Sequence, residues 1–312
     1  MISFGPVPSR RLGCSLGINN IVSPKSCSYN CIYCQVGKTR QQTSGRGSYF
    51  TPETIYKSVV SHLALLSKQD TPDFLTFVSN GEPTLDINLG KSIKMLKSTG
   101  IPVAVITNGS LLSEESVAED LSGADWISVK VDAADNEIWK NINRPSPDID
   151  FDRLQQGIFN FFRHFNGVAC TETMLVRGVN DSPGHLFRLS AIIHELNPSK
   201  AYLSVPVRPP SVRDTELPSE ETLNMSWHTF TEKGIITEML TGFEGTGAAF
   251  TGNIYEDILN ITAVHPLRED SMAELLSRDM EGERVLDSLL QQRLIKMVRY
   301  RGKKYYLRQY NT

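Results

Sequence analysis

Cys27, Cys31 and Cys34 fall within eight positions of the stretch SCSYNCIYCQVG at residues 26–37. Thiolates at that spacing are metal ligands or redox partners. A disulfide between two of them leaves one thiol over. A structural zinc site takes four Cys or His ligands and is closed, and the nearest histidine, His62, lies in a predicted helix. A 4Fe-4S cluster takes one thiolate per iron, so three thiolates leave one iron open to a small molecule. The same logic governs catalytic zinc, where chemistry occurs at the coordination position left free.

Such a loop needs a rigid scaffold, and the pattern around it supplies one. Short β-branched runs alternate with helical patterns and turn residues. An early strand lies near LGINNIV (16–22), and PETIYKSVVSHLALLSK (52–68) reads as its helix. Strands follow at 73–84, 101–110, 125–133, 167–181 and 201–210. Helices read at 87–100, closed by Gly100; at 113–123, with Ser113 as N-cap; around 151–165; and at 183–198 and 219–234. This alternation means βαβ units and a parallel sheet. About six units suit an α/β fold of the partial TIM-like (β/α)6 barrel type, with a doubly wound open sheet as the alternative. No GxGxxG follows the first strand, so the dinucleotide fingerprint is absent. Residues 1–241 form the expected barrel. The glycine-rich 242–252 reads as a linker. Residues 253–312 read as three helices followed by a hairpin turning at Arg301-Gly302-Lys303, a winged helix-turn-helix-like domain.

With Tyr33 before the last cysteine, the CxxxCxxC pattern resembles the signature of the radical S-adenosylmethionine enzymes. In that family Cys27, Cys31 and Cys34 would hold the cluster, and the open iron is chelated by the amino and carboxylate groups of S-adenosylmethionine. An electron from an external reductant of the flavodoxin or ferredoxin type then cleaves the cofactor to methionine and a 5'-deoxyadenosyl radical that abstracts hydrogen. SNGEPT (79–84) resembles the family's GGE motif, whose backbone receives the methionyl amino group. Gly81, Glu82 and Pro83 match it, and Asn80 stands where glycine is frequent. A Gly-Pro loop presents carbonyls without side-chain obstruction. More narrowly, GPVPSRRLGCSLGIN, INRP (142–145) and VPVRPP (205–210) resemble the wyosine tRNA-base synthase subgroup over residues 5–210. Those synthases hold a second cluster on three further cysteines. Here only Cys14 and Cys170 remain, so the radical chemistry carries over and the substrate does not.

Strand alternation sorts the other candidates. Ser128, Lys130 and Asp132 share one face, expected to look into the barrel near its C-terminal mouth; a solvated Lys130–Asp132 pair is the bland alternative. Asn108 binds a ribose hydroxyl or simply makes an Asn-Gly turn. With Ser128 and Lys130 it is expected to contact ribose or carboxylate. Glu172, inside a half-apolar strand, needs a partner or a ligand. Arg208 either holds a carboxylate or phosphate at the mouth or sits on the surface, and Arg144 and Arg177 are further substrate candidates. The six histidines form no metal-spaced cluster and read as surface or loop residues. Cys170 reads as a buried hydrophobe, and Cys14 as the same or as a redox group beside the cluster.

The 312 residues carry a net charge of -3. Residues 285–312 hold seven basic residues (Arg293, Lys296, Arg299, Arg301, Lys303, Lys304 and Arg308) against one acid, Asp287, a local +6 that leaves -9 on the remainder. A basic hairpin interleaved with Tyr300, Tyr305, Tyr306 and Tyr310 suits nucleic acid; a solvated edge or a peptide dock is the alternative. The expected function is RNA modification. A peptide-modifying enzyme, a small-molecule enzyme and a redox-sensing DNA-binding regulator are the alternatives. The first residues lack the apolar run of a signal peptide, and no stretch approaches ~18 uninterrupted apolar residues, so a cytoplasmic chain without membrane contact is expected.

Overall fold

The computed structural model describes residues 2–21 and 24–310. Residue 22, the end of the expected first strand, lies outside them, as do the terminal residues of the two expected domains. The strands are β1 (Ser3–Ser9), β2 (Gly13–Ile18), β3 (Ser26–Cys27), β4 (Gln41–Gln42), β5 (Phe74–Phe77), β6 (Val103–Thr107), β7 (Trp126–Lys130), β8 (Val168–Met174), β9 (Lys200–Ser204), β10 (Thr237–Leu240), β11 (Leu267–Arg268), β12 (Ile295–Tyr300) and β13 (Lys303–Arg308). The helices are α1 (Pro52–Leu65), α2 (Leu89–Leu96), α3 (Glu115–Leu121), α4 (Asn136–Asn143), α5 (Phe151–His164), α6 (Pro183–Leu196), α7 (Glu220–Thr231), α8 (Ile254–Val264), α9 (Glu269–Leu276) and α10 (Gly282–Gln291).

Eight strands form one open, curled half-barrel sheet in the order β1-β2-β5-β6-β7-β8-β9-β10. From β2 to β10 every pairing is parallel, and six helical crossovers join these strands, the expected number of units. Alternation divides each strand between two apolar environments. Leu75, Phe77, Val103, Val105, Ile127, Val129, Ala201 and Leu203 pack into the core under the helices. Ala104, Trp126, Cys170, Tyr202 and Leu240 face the lumen, where Leu12 plugs them. The turn carrying Leu12 also spans the open side of the barrel, because the Arg10 guanidinium donates to the Leu240 carbonyl of β10.

The sequence did not point to β1, β10 or α4. β1 is SFGPVPS, and its two prolines read as loop. Among the described residues it pairs only with β2, antiparallel, at the sheet edge where a missing N–H is tolerated. The N-cap of α3 is Glu114, without a side-chain capping bond, and not Ser113.

Segment 242–252 contains no helix or strand. It nonetheless packs onto the barrel: Ala248 and Ala249 are buried, and Ala249 N–H donates to the Pro6 carbonyl at 2.8 Å. Beyond it, α8, α9 and α10 bury Ile258, Ile261, Met272, Leu275, Leu286 and Leu289 together with Phe4 and Val7 of β1. β11, β13 and β12 form a small antiparallel sheet in that order. The β12–β13 turn has positive φ at both Arg301 and Gly302, the backbone twist a two-residue hairpin requires. Tyr300 and Tyr305 donate to the carbonyls of Pro206 and Val207 at 2.7 and 3.0 Å, which fastens the hairpin beside the end of β9.

Candidate active site

The cysteine loop leaves the C-terminal end of β2 and crosses the C-terminal ends of its neighbours, the face where active sites of parallel barrels lie. Glycine 81 sets the closeness of that crossing. An ideal Cβ there would lie 1.7 Å from the Ser26 carbonyl oxygen, and Glu82 N–H donates to the same oxygen at 3.1 Å. The need for glycine is thus the approach of the cysteine loop itself. The buried Glu82 carboxylate accepts from Thr84 N–H, the Thr84 and Thr107 hydroxyls and Asn108 N–H at 2.6–3.1 Å. It therefore ties the end of β5 to the end of β6. Burial still pushes its carboxyl up. Asn80 is buried, its side-chain oxygen unpartnered among the described residues, and Pro83 opens a 3-10 turn over Pro83–Leu85.

Each sulfur receives N–H groups. Cys27 Sγ accepts from Tyr29 N–H at 3.4 Å and from Asn108 Nδ2 at 3.7 Å. Cys31 Sγ accepts from Asn143 Nδ2 at 3.5 Å, and Cys34 Sγ from the Lys25 ammonium at 3.1 Å. Burial pushes the Cys27 thiol up to about 12 and the Cys31 thiol to about 11. Burial also raises Cys34, but the adjacent Lys25 charge and hydrogen bond outweigh it, and this thiol falls below its ordinary value. Among the described residues no three His, Cys, Asp or Glu side chains converge on one metal ion. A 4Fe-4S cluster takes each cysteine sulfur on a different iron, so it calls for three separated sulfurs with N–H donors behind them rather than convergence on a point. The donor set fits a 4Fe-4S group.

Below the loop lies a polar layer. Asp132 is buried; its Oδ2 accepts from the Tyr33 hydroxyl and from Asn143 Nδ2, and its Oδ1 from Met174 N–H at 2.7 Å. Both oxygens are committed, so Asp132 positions Tyr33 and Asn143. Lys130 sits 5.0 Å from the Tyr33 ring centre and donates to Glu172 at 3.1 Å. The bland Lys130–Asp132 pair is thus replaced by a buried pair with Glu172. Glu172 also binds the Arg11 guanidinium and accepts from the Ser204 hydroxyl at 3.0 Å. Burial would raise its carboxyl, but Arg11 and Lys130 hold it well below the usual carboxylate range. Ser128 is fully buried on the same lumen face, its hydroxyl unpartnered among the described residues.

The arginine candidates separate. Arg208 is neither a free mouth residue nor a surface one: it is largely buried and ion-paired with Glu244, donates to Gln35 Oε1 at 2.6 Å, and meets His265 Nε2 at 3.1 Å. Arg144 is exposed in the left-handed conformation that ends α4. The site residue in INRP is its neighbour Asn143. Arg177 pairs with Glu216 at 3.3 Å on the exposed surface. Cys14, the second residue of β2, lies about 13 Å of strand from the end at which the cysteine loop leaves, at ~3.3 Å per residue, so it is no redox group beside the cluster. Cys170 is the buried hydrophobe expected. The histidines are not all peripheral. His185 is buried beside Asp135 at 3.7 Å, His62 bonds Ser3 and Gly5, and His265 faces Glu244 at 3.2 Å. Lys25, Asn143, Arg10, Arg11, Gln35 and Glu244 were not singled out from the sequence. The run SRRLG offered the two arginines, but nothing local distinguishes them from surface cations.

A half-barrel whose strand ends carry three cysteines backed by N–H donors, beside a Gly-Glu-Pro loop, defines an enzyme class that cleaves S-adenosylmethionine reductively. The Radical SAM superfamily profile matches residues 21–189, and the chain belongs to that superfamily. It is 41% identical over 310 residues to UPF0026 protein MJ1312 of Methanocaldococcus jannaschii, covering 98% of this chain and 96% of that one. A UPF0026 protein of Helicobacter pylori is 34% identical over 228 residues, 72% of each chain. The crystal structure of a radical SAM methyltransferase from Sphaerobacter thermophilus aligns with a TM-score of 0.55 at 14% identity, over 73% of this chain and 66% of that one. The last likeness concerns the fold alone. The protein is an Fe-S oxidoreductase type of enzyme whose superfamily implies a 4Fe-4S cluster, S-adenosylmethionine and an external reductant. Among the described residues no helix is long and apolar enough to cross a membrane.

Proposed function

We propose that the enzyme modifies RNA, with residues 1–241 as the catalytic barrel, 242–252 as the connection and 253–312 as a winged-helix-like module that holds the RNA. The observation that carries this reading is the charge of the hairpin. Arg293, Lys296, Arg299, Arg301 and Lys303 are exposed, and none of them enters an ion pair among the described residues. An uncompensated basic hairpin of this kind is the electrostatic footprint of a phosphate backbone. The stacking role expected of the tyrosines contracts: the Tyr300 and Tyr305 hydroxyls bond the barrel, which leaves Tyr310 exposed.

At the barrel mouth, Cys27, Cys31 and Cys34 hold the cluster, and the carbonyls of the 80–83 loop receive the methionyl amino group. Asn108 and Lys130 contact the ribose or carboxylate of the cofactor, with Ser128 buried in the layer beneath them. A 4Fe-4S cluster held there would pass one electron from an external reductant for the reductive cleavage of S-adenosylmethionine. The chain's own part is to orient the cofactor against the buried polar layer and to keep water from the reacting carbon.

The test is RNA binding by the full chain across a salt series. Log affinity falls with log salt, and the triple change Arg299→Ala, Arg301→Ala, Lys303→Ala reduces that slope by about 2. A salt-insensitive affinity for a peptide, on the free edge of β12, would replace RNA by a leader-peptide substrate.

A further inference from the structure

We infer that the barrel lumen contains an oxyanion site, formed by Arg10, Arg11 and Arg208 and now countered by Glu244, that takes the phosphate or carboxylate group of the substrate. The inference rests on the reading that the substrate reacts in the lumen of this radical enzyme.

A cavity of about 100 Å3 lies between the β1–β2 turn, the inner faces of β2, β5 and β6, and the end of α8. A buried water requires ~10–15 Å3 of such space, so a polyatomic anion fits. Three guanidinium groups, Arg10, Arg11 and Arg208, line this cavity against one carboxylate, Glu244. Glu172 stands behind Arg11 and is shared with Lys130. His265, the remaining titratable group on the wall, is pushed down to about 4 by burial and by Arg208, so it is neutral at pH 7. The crowding is visible in Arg10, which burial and its neighbours Arg208 and Arg11 lower to about 10.

Buried cations need paired anions, and the protein supplies too few. Among the described residues Arg11 Nε is buried without an acceptor, and Glu244 Oε2 is buried without a donor. Glu244 stands 3.9 Å from Arg10 and binds Arg208, the position an arginine-bound oxyanion would take. It is carried by Thr241–Gly252, a stretch with four glycines and no regular element. A second cavity of about 250 Å3, lined by Arg268, Tyr300, Arg301 and Lys303, meets the lumen at Arg208, Glu244 and His265. The basic hairpin and the lumen are thus joined through the residues that hold the displaceable carboxylate.

The experiment is calorimetric titration of the full chain, in buffer free of other oxyanions, with inorganic phosphate and separately with acetate. Phosphate or acetate binds, Arg10→Gln weakens it about tenfold, and Glu244→Gln, which removes the competing charge, tightens it several-fold. Binding of phosphate alone assigns a phosphate group, and equal binding of acetate assigns a carboxylate. The inference is overturned if neither anion binds wild type or Glu244→Gln, or if binding is indifferent to both substitutions. Circular dichroism of each variant verifies that it is folded. Should Arg10→Gln not fold, Glu244→Gln carries the test alone. RNA affinity is read in parallel: its absence with phosphate binding intact removes only the RNA reading, and its presence without anion binding removes only this one.

Discussion

Single residues set the geometry at the strand ends. Cys31 receives one N–H donor and lies at the centre of the loop, so Cys31→Ala removes both the visible absorbance of the reconstituted cluster and the formation of 5'-deoxyadenosine; retained cleavage would sink the assignment of the three thiolates. Gly81→Ala puts a methyl group into the Ser26 carbonyl. Overpacking of this kind costs about 1–3 kcal/mol, and it displaces the very loop that carries the cysteines. Thermal unfolding and iron content should fall together. Glu172 gives the sharpest electrostatic outcome. Glu172→Gln leaves Arg11 and Lys130 buried without their anion, a loss of about 3–5 kcal/mol at neutral pH by denaturant unfolding. The folded carboxyl is depressed, so its contribution is complete above the ordinary carboxylate value and is lost as pH falls through the folded one. The gap between wild type and variant therefore narrows on acidification; a gap independent of pH would contradict the pairing.

Elements decide which of these residues can meet. Alternation on β7, β8 and β9 places Ser128, Lys130, Glu172, Tyr202 and Ser204 on one face, and this much was legible as period two in the sequence. The partners of Glu172 were not, because Arg11 lies 161 positions away in the turn after β1, a strand whose prolines read as loop. Likewise Asp132 was legible as a polar residue at the barrel mouth, whereas its role as a fixed acceptor for Tyr33 and Asn143 depends on α4. The hairpin turn was legible from Arg301-Gly302. Its docking on the barrel was not, since the two tyrosine hydroxyls find backbone carbonyls and not side chains. Tyr300→Phe with Tyr305→Phe removes two hydrogen bonds worth about 1 kcal/mol each. Hydrogen exchange should accelerate in β12 and in 242–252 while the barrel strands keep their protection; unchanged exchange would show that the apolar core around α8 holds the hairpin unaided.

At the scale of the whole molecule, two apolar cores share one strand. β1 contributes Ile2-flanked backbone to the barrel edge and Phe4 and Val7 to the core of α8, α9 and α10. Truncation before residue 242 therefore exposes Phe4 and Val7 and leaves Arg208 and Arg10 without Glu244. Such a truncated chain should unfold at lower temperature than the full chain and bind S-adenosylmethionine more weakly. Equal stability would mean that the C-terminal segment is an independent appendage.

The count and spacing of the cysteines, the Gly-Glu-Pro loop, the β/α rhythm and the basic end were determined by the sequence alone, because each is a local pattern of side-chain type. The tertiary structure decided which charges face one another. Arg10, Arg11, Arg208, Glu172, Glu244 and His265 come from five separate segments. Their meaning, a buried cation-rich lumen joined to a basic hairpin, depends on the curling of the open sheet, which no local pattern records.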